Sequence, residues 1–110
     1  MAADEIRRGE IYLCDFGEPL GHEPGFRRPC LVLSAPTLNK HGIPIVAPIT
    51  SKHRGYPSHV ELDGVLPIIS FIQCELLGVV SAERFVRKLG AVDSATMAKV
   101  EQIVRRLLVL

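Results

Sequence analysis

Apolar and polar positions alternate along most of the chain, and only the C-terminal stretch changes to a helical period. Residues 8–16, Arg-Gly-Glu-Ile-Tyr-Leu-Cys-Asp-Phe, are rich in strand formers and are closed by Gly17 and Pro19, which predicts a first strand. Residues 29–34 form a continuous apolar run, the pattern of a central strand buried on both faces. After the turn-rich residues 35–42, the β pattern resumes over 43–49, where Pro44 and Pro48 suggest strand ends or an edge. Residues 58–63 alternate as a half-exposed strand does, and a turn at Asp63-Gly64 leads to a fifth strand over 68–75. Residues 76–80 continue extended or bend at Gly78. Ser81 can cap one helical turn, and 85–89 alternate again until Gly90. Asp93 then caps a helix in which Met97, Val100, Ile103, Val104 and Leu107 share a face opposite Lys99, Glu101, Gln102, Arg105 and Arg106. The expected architecture is mainly β, a small and strongly bent sheet or barrel closed by one helix.

Length and composition narrow this picture. A chain of 110 residues supports one core, so residues 1–110 are read as a single domain. Apolar residues at 47% and charged residues at 23% are a globular balance. The helix stripe is expected to cover the sheet or meet a second subunit, because its polar face carries both signs and lacks the Trp of a membrane-surface helix. No apolar run approaches a membrane span, and residues 1–8 lack the apolar core of a leader. Cys14, Cys30 and Cys74 are far apart, odd in number and set in apolar segments. They are expected to be buried free thiols in a reducing cytosol, which places the protein in the cytoplasm.

A formal net charge of +1 is no polycation, so a nucleic-acid partner would have to be held by a local basic patch. Two segments qualify. Residues 17–28 lack periodicity and are long for a connector, which favours function. They end in Gly21-His22-Glu23-Pro24-Gly25-Phe26-Arg27-Arg28, where Pro29 biases Arg28 towards an extended conformation and a planar guanidinium suits phosphate. The second segment follows Thr50 and Ser51 at the exit of the third strand: Lys52, His53, Arg54 and Tyr56 supply cations and rings for a single-stranded nucleic acid. His22, His41, His53 and His59 show no metal-ligand spacing. The second and third strands are expected to be antiparallel. On that basis their far ends do not obviously coincide, and contact between the two segments is left open.

The ordered set Arg8-Gly9-Glu10-Ile11-Tyr12, residues 21–34, Pro48-Ile49-Thr50-Ser51 and Ser58-His59-Val60-Glu61-Leu62 resembles the MazF/PemK/Kid family of toxin endoribonucleases over nearly the whole chain. The resemblance implies an SH3-like β-barrel (CcdB/Kid/MazF-like) with a C-terminal helix, a homodimer, a cognate antitoxin and metal-independent cutting of single-stranded RNA without a cofactor. It places the family's catalytic residues on Arg28, Thr50 and Glu23, and it leaves His22, Phe26, Arg27, Ser51, Lys52, His53, Arg54 and Tyr56 as substrate contacts. In the related CcdB branch the same fold is a non-catalytic gyrase poison, and an inert RNA-binding barrel is a third possibility. Where many relatives carry an acidic residue, Gln, an aliphatic residue and a cation after the fifth strand, this chain has Glu75-Leu76-Leu77-Gly78.

Overall fold

A computed structural model of the chain describes residues 2–23 and 25–110, and of Asp4 only the backbone. Met1 and the loop proline Pro24 lie outside the described residues. The elements are β1 (Glu10–Asp15), β2 (Arg27–Val32), α1 (Pro36–Asn39), β3 (Ile45–Thr50), β4 (His59–Leu62), β5 (Ser70–Gln73), β6 (Gly78–Val79), β7 (Phe85–Ala91) and α2 (Ser94–Leu108). All strand pairings are antiparallel, in the order β4-β5-β3-β2-β1-β7, with β6 also on β3. The expected mainly β fold with a terminal helix is present. The ladder leaves β4 and β7 as edges, so the sheet bends without closing into a hydrogen-bonded barrel.

The row Ile11–Leu31–Ala47 crosses β1, β2 and β3 and is covered by Val100 of α2, all fully buried. Their neighbours Tyr12, Cys30, Val32 and Val46 face the other way, into a second cluster where Tyr12 stacks on Phe85 at 4.9 Å. This two-sided burial is why residues 30–32 are apolar without alternation. Asp93 caps α2 as its position predicts, its carboxylate accepting from the Thr96 N–H at 2.8 Å.

Several local expectations change. The turn-rich stretch after β2 contains the short helix α1, with Pro36 in its first turn, and the buried amide of Asn39 donates to the carbonyls of Ile6 and Ser34. The prolines do not make β3 an edge, since β2 lies on one side of it and β5 and β6 lie on the other. Pro48 instead sits where the second ladder is interrupted: Ile49 and Thr50 pair with β5, Ile45 and Val46 with β6, and the turn Cys74–Leu76 interrupts the ladder between β5 and β6. A residue without an N–H is tolerated at such a break. Ile68 and Ile69 are exposed and precede β5 rather than opening it. Gly90 does not end β7; it lies within the strand, where a Cβ would come 2.9 Å from Val65 Cγ1.

The cysteine expectation is also corrected. Cys14 and Cys30 form a disulfide, and Cys74 alone is free. The β1–β2 register pairs Tyr12 with Cys30, so Cys14 is the diagonal neighbour on the same face, with Cα atoms 6.4 Å apart. Distance along the chain concealed a contact that the hairpin creates, and the cysteines no longer argue for a reducing compartment. Titration of the unfolded, unreduced protein with a thiol reagent should therefore find one thiol per chain, that of Cys74, and reduction should expose Cys14 and Cys30 as well. Leu31→Ala should lower stability by about 2–5 kcal/mol in urea unfolding, because it empties the centre of the buried row beneath α2.

Candidate active site: a cationic cleft at the ends of β2 and β3

In an antiparallel pair, the beginning of one strand lies beside the end of the other. The β2–β3 register is Cys30↔Pro48, Leu31↔Ala47 and Val32↔Val46, and two more steps along it bring Arg28 level with Thr50. The reservation about the strand ends is therefore reversed: antiparallel pairing is what brings them together. Both residues line an open cleft of about 970 Å³.

Each is oriented by backbone contacts. Arg28 is half-buried, and its Nε donates to the Gly25 carbonyl at 3.1 Å, which fixes the guanidinium plane and leaves the Nη edge to address a ligand. Among the described residues no ion pair joins Arg28 to Glu23 or to any other acid. Thr50 Oγ1 accepts from the Lys52 N–H at 3.2 Å, so its own proton remains available to an incoming oxygen.

The approach loop is folded against itself. Phe26 N–H donates to the Gly17 carbonyl at 2.6 Å, and Phe16 N–H to the Phe26 carbonyl at 2.9 Å, closing the loop above β1 and β2. Gly25 admits no side chain, because a Cβ would meet the Pro19 ring at 2.4 Å. Phe26 is held at φ 59°, uncommon for a residue with a side chain, and its ring is 64% exposed at the lip of the cleft.

The charge of the cleft is one-sided. Arg27, Arg28, Lys52 and Arg87 line it together with the hydroxyl residues Thr50, Ser51 and Ser70, and among the described residues neither a carboxylate nor a histidine does. The chain contains 12 acidic residues against 13 Lys and Arg, so a wall of cations alone is a local concentration that the net charge conceals. Asp15 only touches this set from outside, 3.9 Å from Arg27 Nε.

Not all the sequence-predicted residues meet here. Phe26, Arg27, Arg28, Thr50, Ser51 and Lys52 come together. Glu23 and His22 line a separate groove of about 620 Å³ with Glu18, Glu75, Leu76, Gly78 and Arg84. The departures from the family pattern at Leu76 and Gly78 thus fall in Glu23's groove and not beside Arg28. His53 packs its ring 5.0 Å from Phe71, and Tyr56 stands edge-on to His59 at 5.0 Å. Those two rings and Arg54 are exposed residues of the basic loop outside the cleft lining. Sequence reading missed Arg87, Ser70 and the apolar wall of Leu66 and Ile68. Arg87 had a signal, a cation within an alternating strand, but its placement depends on β7 folding back onto β1.

The matches with known proteins give the family. Residues 7–108 match the PemK-like, MazF-like toxin of type II toxin-antitoxin systems. The chain belongs to that family. It is 29% identical to endoribonuclease MazF9 of Mycobacterium tuberculosis, over 91% of this chain and 93% of the relative. It is 30% identical to endoribonuclease EndoA of Bacillus subtilis, over 88% and 89% respectively. The crystal structure of MazF from Deinococcus radiodurans superposes with a TM-score of 0.86 at 28% identity, covering 96% of this chain and 97% of that one.

Behind the basic loop of this toxin, Glu75 joins β4 to the turn after β5. Its Oε1 accepts from Ser58 Oγ at 2.8 Å, and its Oε2 lies 2.9 Å from Nε2 of His59, whose side chain is 3% exposed. Burial alone would raise the Glu75 pKa; the Ser58 hydrogen bond, its own backbone N–H and the His59 ring outweigh this and hold it below its ordinary value of 4.5. A carboxyl group with a lowered folded pKa contributes stability above its unfolded pKa and loses it as pH falls through the folded value. Acid unfolding should accordingly draw on this group below pH 4.5, and Glu75→Gln should lower the thermal melt at neutral pH and approach the wild type in acid, which flattens that limb of the stability profile.

Proposed function

We propose that this endoribonuclease toxin cuts single-stranded RNA in the cationic cleft, with Arg28 and Thr50 at the reacting phosphate. The observation that carries the assignment is the joining of the two strand ends inside a cleft whose charged lining residues, among those described, are all cations. In this reading, the ribose 2′-oxygen attacks the adjacent phosphorus, the bond to the 5′-oxygen breaks, and the products are a 2′,3′-cyclic phosphate and a 5′-hydroxyl. The 2′-hydroxyl loses its proton and the departing 5′-oxygen gains one.

The phosphorane on this path carries more negative charge on its non-bridging oxygens than the diester does. A guanidinium already oriented by Gly25 stabilises that increment without reorganising. Thr50 donates to the same phosphate, since its acceptor side is engaged by the Lys52 N–H. Arg27 and Lys52 attract the neighbouring backbone, Phe26 offers a ring for stacking, and Ser51 adds a hydroxyl. His22, His53, Arg54 and Tyr56 lie outside the cleft lining, and in this reading they serve flanking nucleotides. Glu23 is assigned a supporting role, because it faces the neighbouring groove. No metal or cofactor is assigned a step.

MazF of D. radiodurans has been solved with MazE at 26% identity to this chain and a TM-score of 0.82. By that likeness we assign this toxin a cognate antitoxin protein; the homodimeric state we assign rests on the family resemblance. No helix among the described residues is long and apolar enough to cross a membrane. We place the activity in the cytoplasm because RNA is the substrate.

Incubation of a long single-stranded RNA with the protein in EDTA, with ends mapped by primer extension, should give discrete cuts with 5′-hydroxyl ends. Arg28→Ala should lower the rate about 100- to 1,000-fold with an unchanged thermal melt, as removal of a preorganised oxyanion donor does. Thr50→Ala should also be impaired, and Glu23→Gln should lose far less than Arg28→Ala. Intact RNA with the wild-type protein, or equal cutting by Arg28→Ala, would reject the assignment. Gyrase inhibition without RNA cutting would favour the non-catalytic alternative.

A further inference from the structure

We propose that Arg87 binds a second phosphate of the RNA, one that flanks the scissile phosphate, so that the substrate backbone runs across β2 and β1 towards β7. This inference rests on the cleft being the RNA site. Three observations point to it. The cations in and just before β7 have different engagements: Arg84 Nη1 donates to the Asp15 carbonyl at 3.2 Å, Lys88 pairs with Glu10 at 2.5 Å, and Arg87 has no acidic partner or side-chain hydrogen bond among the described residues. Arg87 is nevertheless the one that lines the cleft.

Its direction has a local cause. The β1–β7 register shifts between Leu13↔Arg87 and Cys14↔Phe85, leaving Val86 as an extra residue. A bulge at that point re-aims the adjoining side chains and interrupts the alternation. Arg87 is level with Leu13, and Leu13 is level with Pro29, the neighbour of Arg28. Two strand spacings therefore separate the backbones that carry the two arginines, about 10 Å. Arg87 thus enters the cleft two strands away from Arg28, and Leu13 and Pro29 line the cleft between them, where a nucleotide can lie. A free guanidinium at that end suits the next available backbone anion.

The test uses a fluorescein-labelled oligonucleotide spanning a mapped cleavage site, with 2′-O-methyl sugars to prevent cutting, and reads binding by anisotropy as salt is varied. Arg87→Ala should weaken binding at low salt and reduce the slope of log K against log salt by about 0.7, the value for one single-strand phosphate contact, while Arg87→Lys should keep the slope. Replacing phosphates one at a time by neutral methylphosphonates should identify one flanking position that weakens the wild type and leaves Arg87→Ala unaffected. An unchanged slope, or coupling to the scissile phosphate alone, overturns the proposal. The two readings can fail separately: Arg28→Ala that still cuts RNA removes the cleft assignment, whereas an inactive Arg28→Ala beside an unchanged Arg87→Ala slope removes only this inference.

Discussion

The pairing of β2 with β3 is the constraint on which the rest of the molecule depends. Cys30, Leu31 and Val32 are fully buried, and they alternate between two core clusters on opposite faces of the sheet. A slip by one residue would turn each side chain to the wrong cluster, and a slip by two would move Leu31 out of the row beneath α2. Hydrophobic packing on both faces therefore sets the register. That register brings Arg28 level with Thr50 at one end of the strand pair with no separate device for doing so. The site follows from the core, which is why it lies at the strand ends, where the rigid sheet stops and the loops begin.

Two grooves of opposite electrostatic character lie near one another. The cleft of Arg28 has cations and hydroxyls, and the groove of Glu23 mixes Glu18 and Glu75 with His22 and Arg84. The 17–26 loop contributes to both, with Glu18, His22 and Glu23 in one and Phe26 in the other. Its closure through Gly17 and Phe26 and the packing of Pro19 on Gly25 keep these contributions apart. Such separation matters for an anionic substrate, since a carboxylate close to the scissile phosphate would cancel much of what an arginine supplies.

The sequence made the fold class legible because its periodicities are strong: the alternation of 58–63, the apolar run of 29–34 and the stripe of α2 each reflect a real burial pattern. That Arg28 and Thr50 stand at strand ends was legible from the pattern, and their catalytic roles remain a proposal that comes from the family resemblance. What stayed hidden is non-local. The Cys14–Cys30 bond, the placement of Arg87 and the parting of Glu23 from Arg28 all depend on which strand lies beside which, and on a one-residue bulge that local pattern does not encode. Even the direction of the β2–β3 pair was correctly expected, and the error lay in the geometry drawn from it.

The composition of the cleft bears on where the rate enhancement could come from. Among the described residues neither a carboxylate nor a histidine lines it, so none of the described lining groups has an unperturbed pKa near neutrality. Proton transfer matched to a side chain, which usually contributes a factor of about 100 to 10,000, has no evident donor or acceptor within this lining. Under the proposed chemistry, the main contributions are charge stabilisation by Arg28 and orientation of the 2′-oxygen for in-line attack. Orientation requires that the chain be held on more than one side of the reacting bond. In that proposal the distribution of cations along the cleft belongs to the catalytic arrangement, with Arg28 assigned to the phosphate that changes and its neighbours to the backbone that must not move.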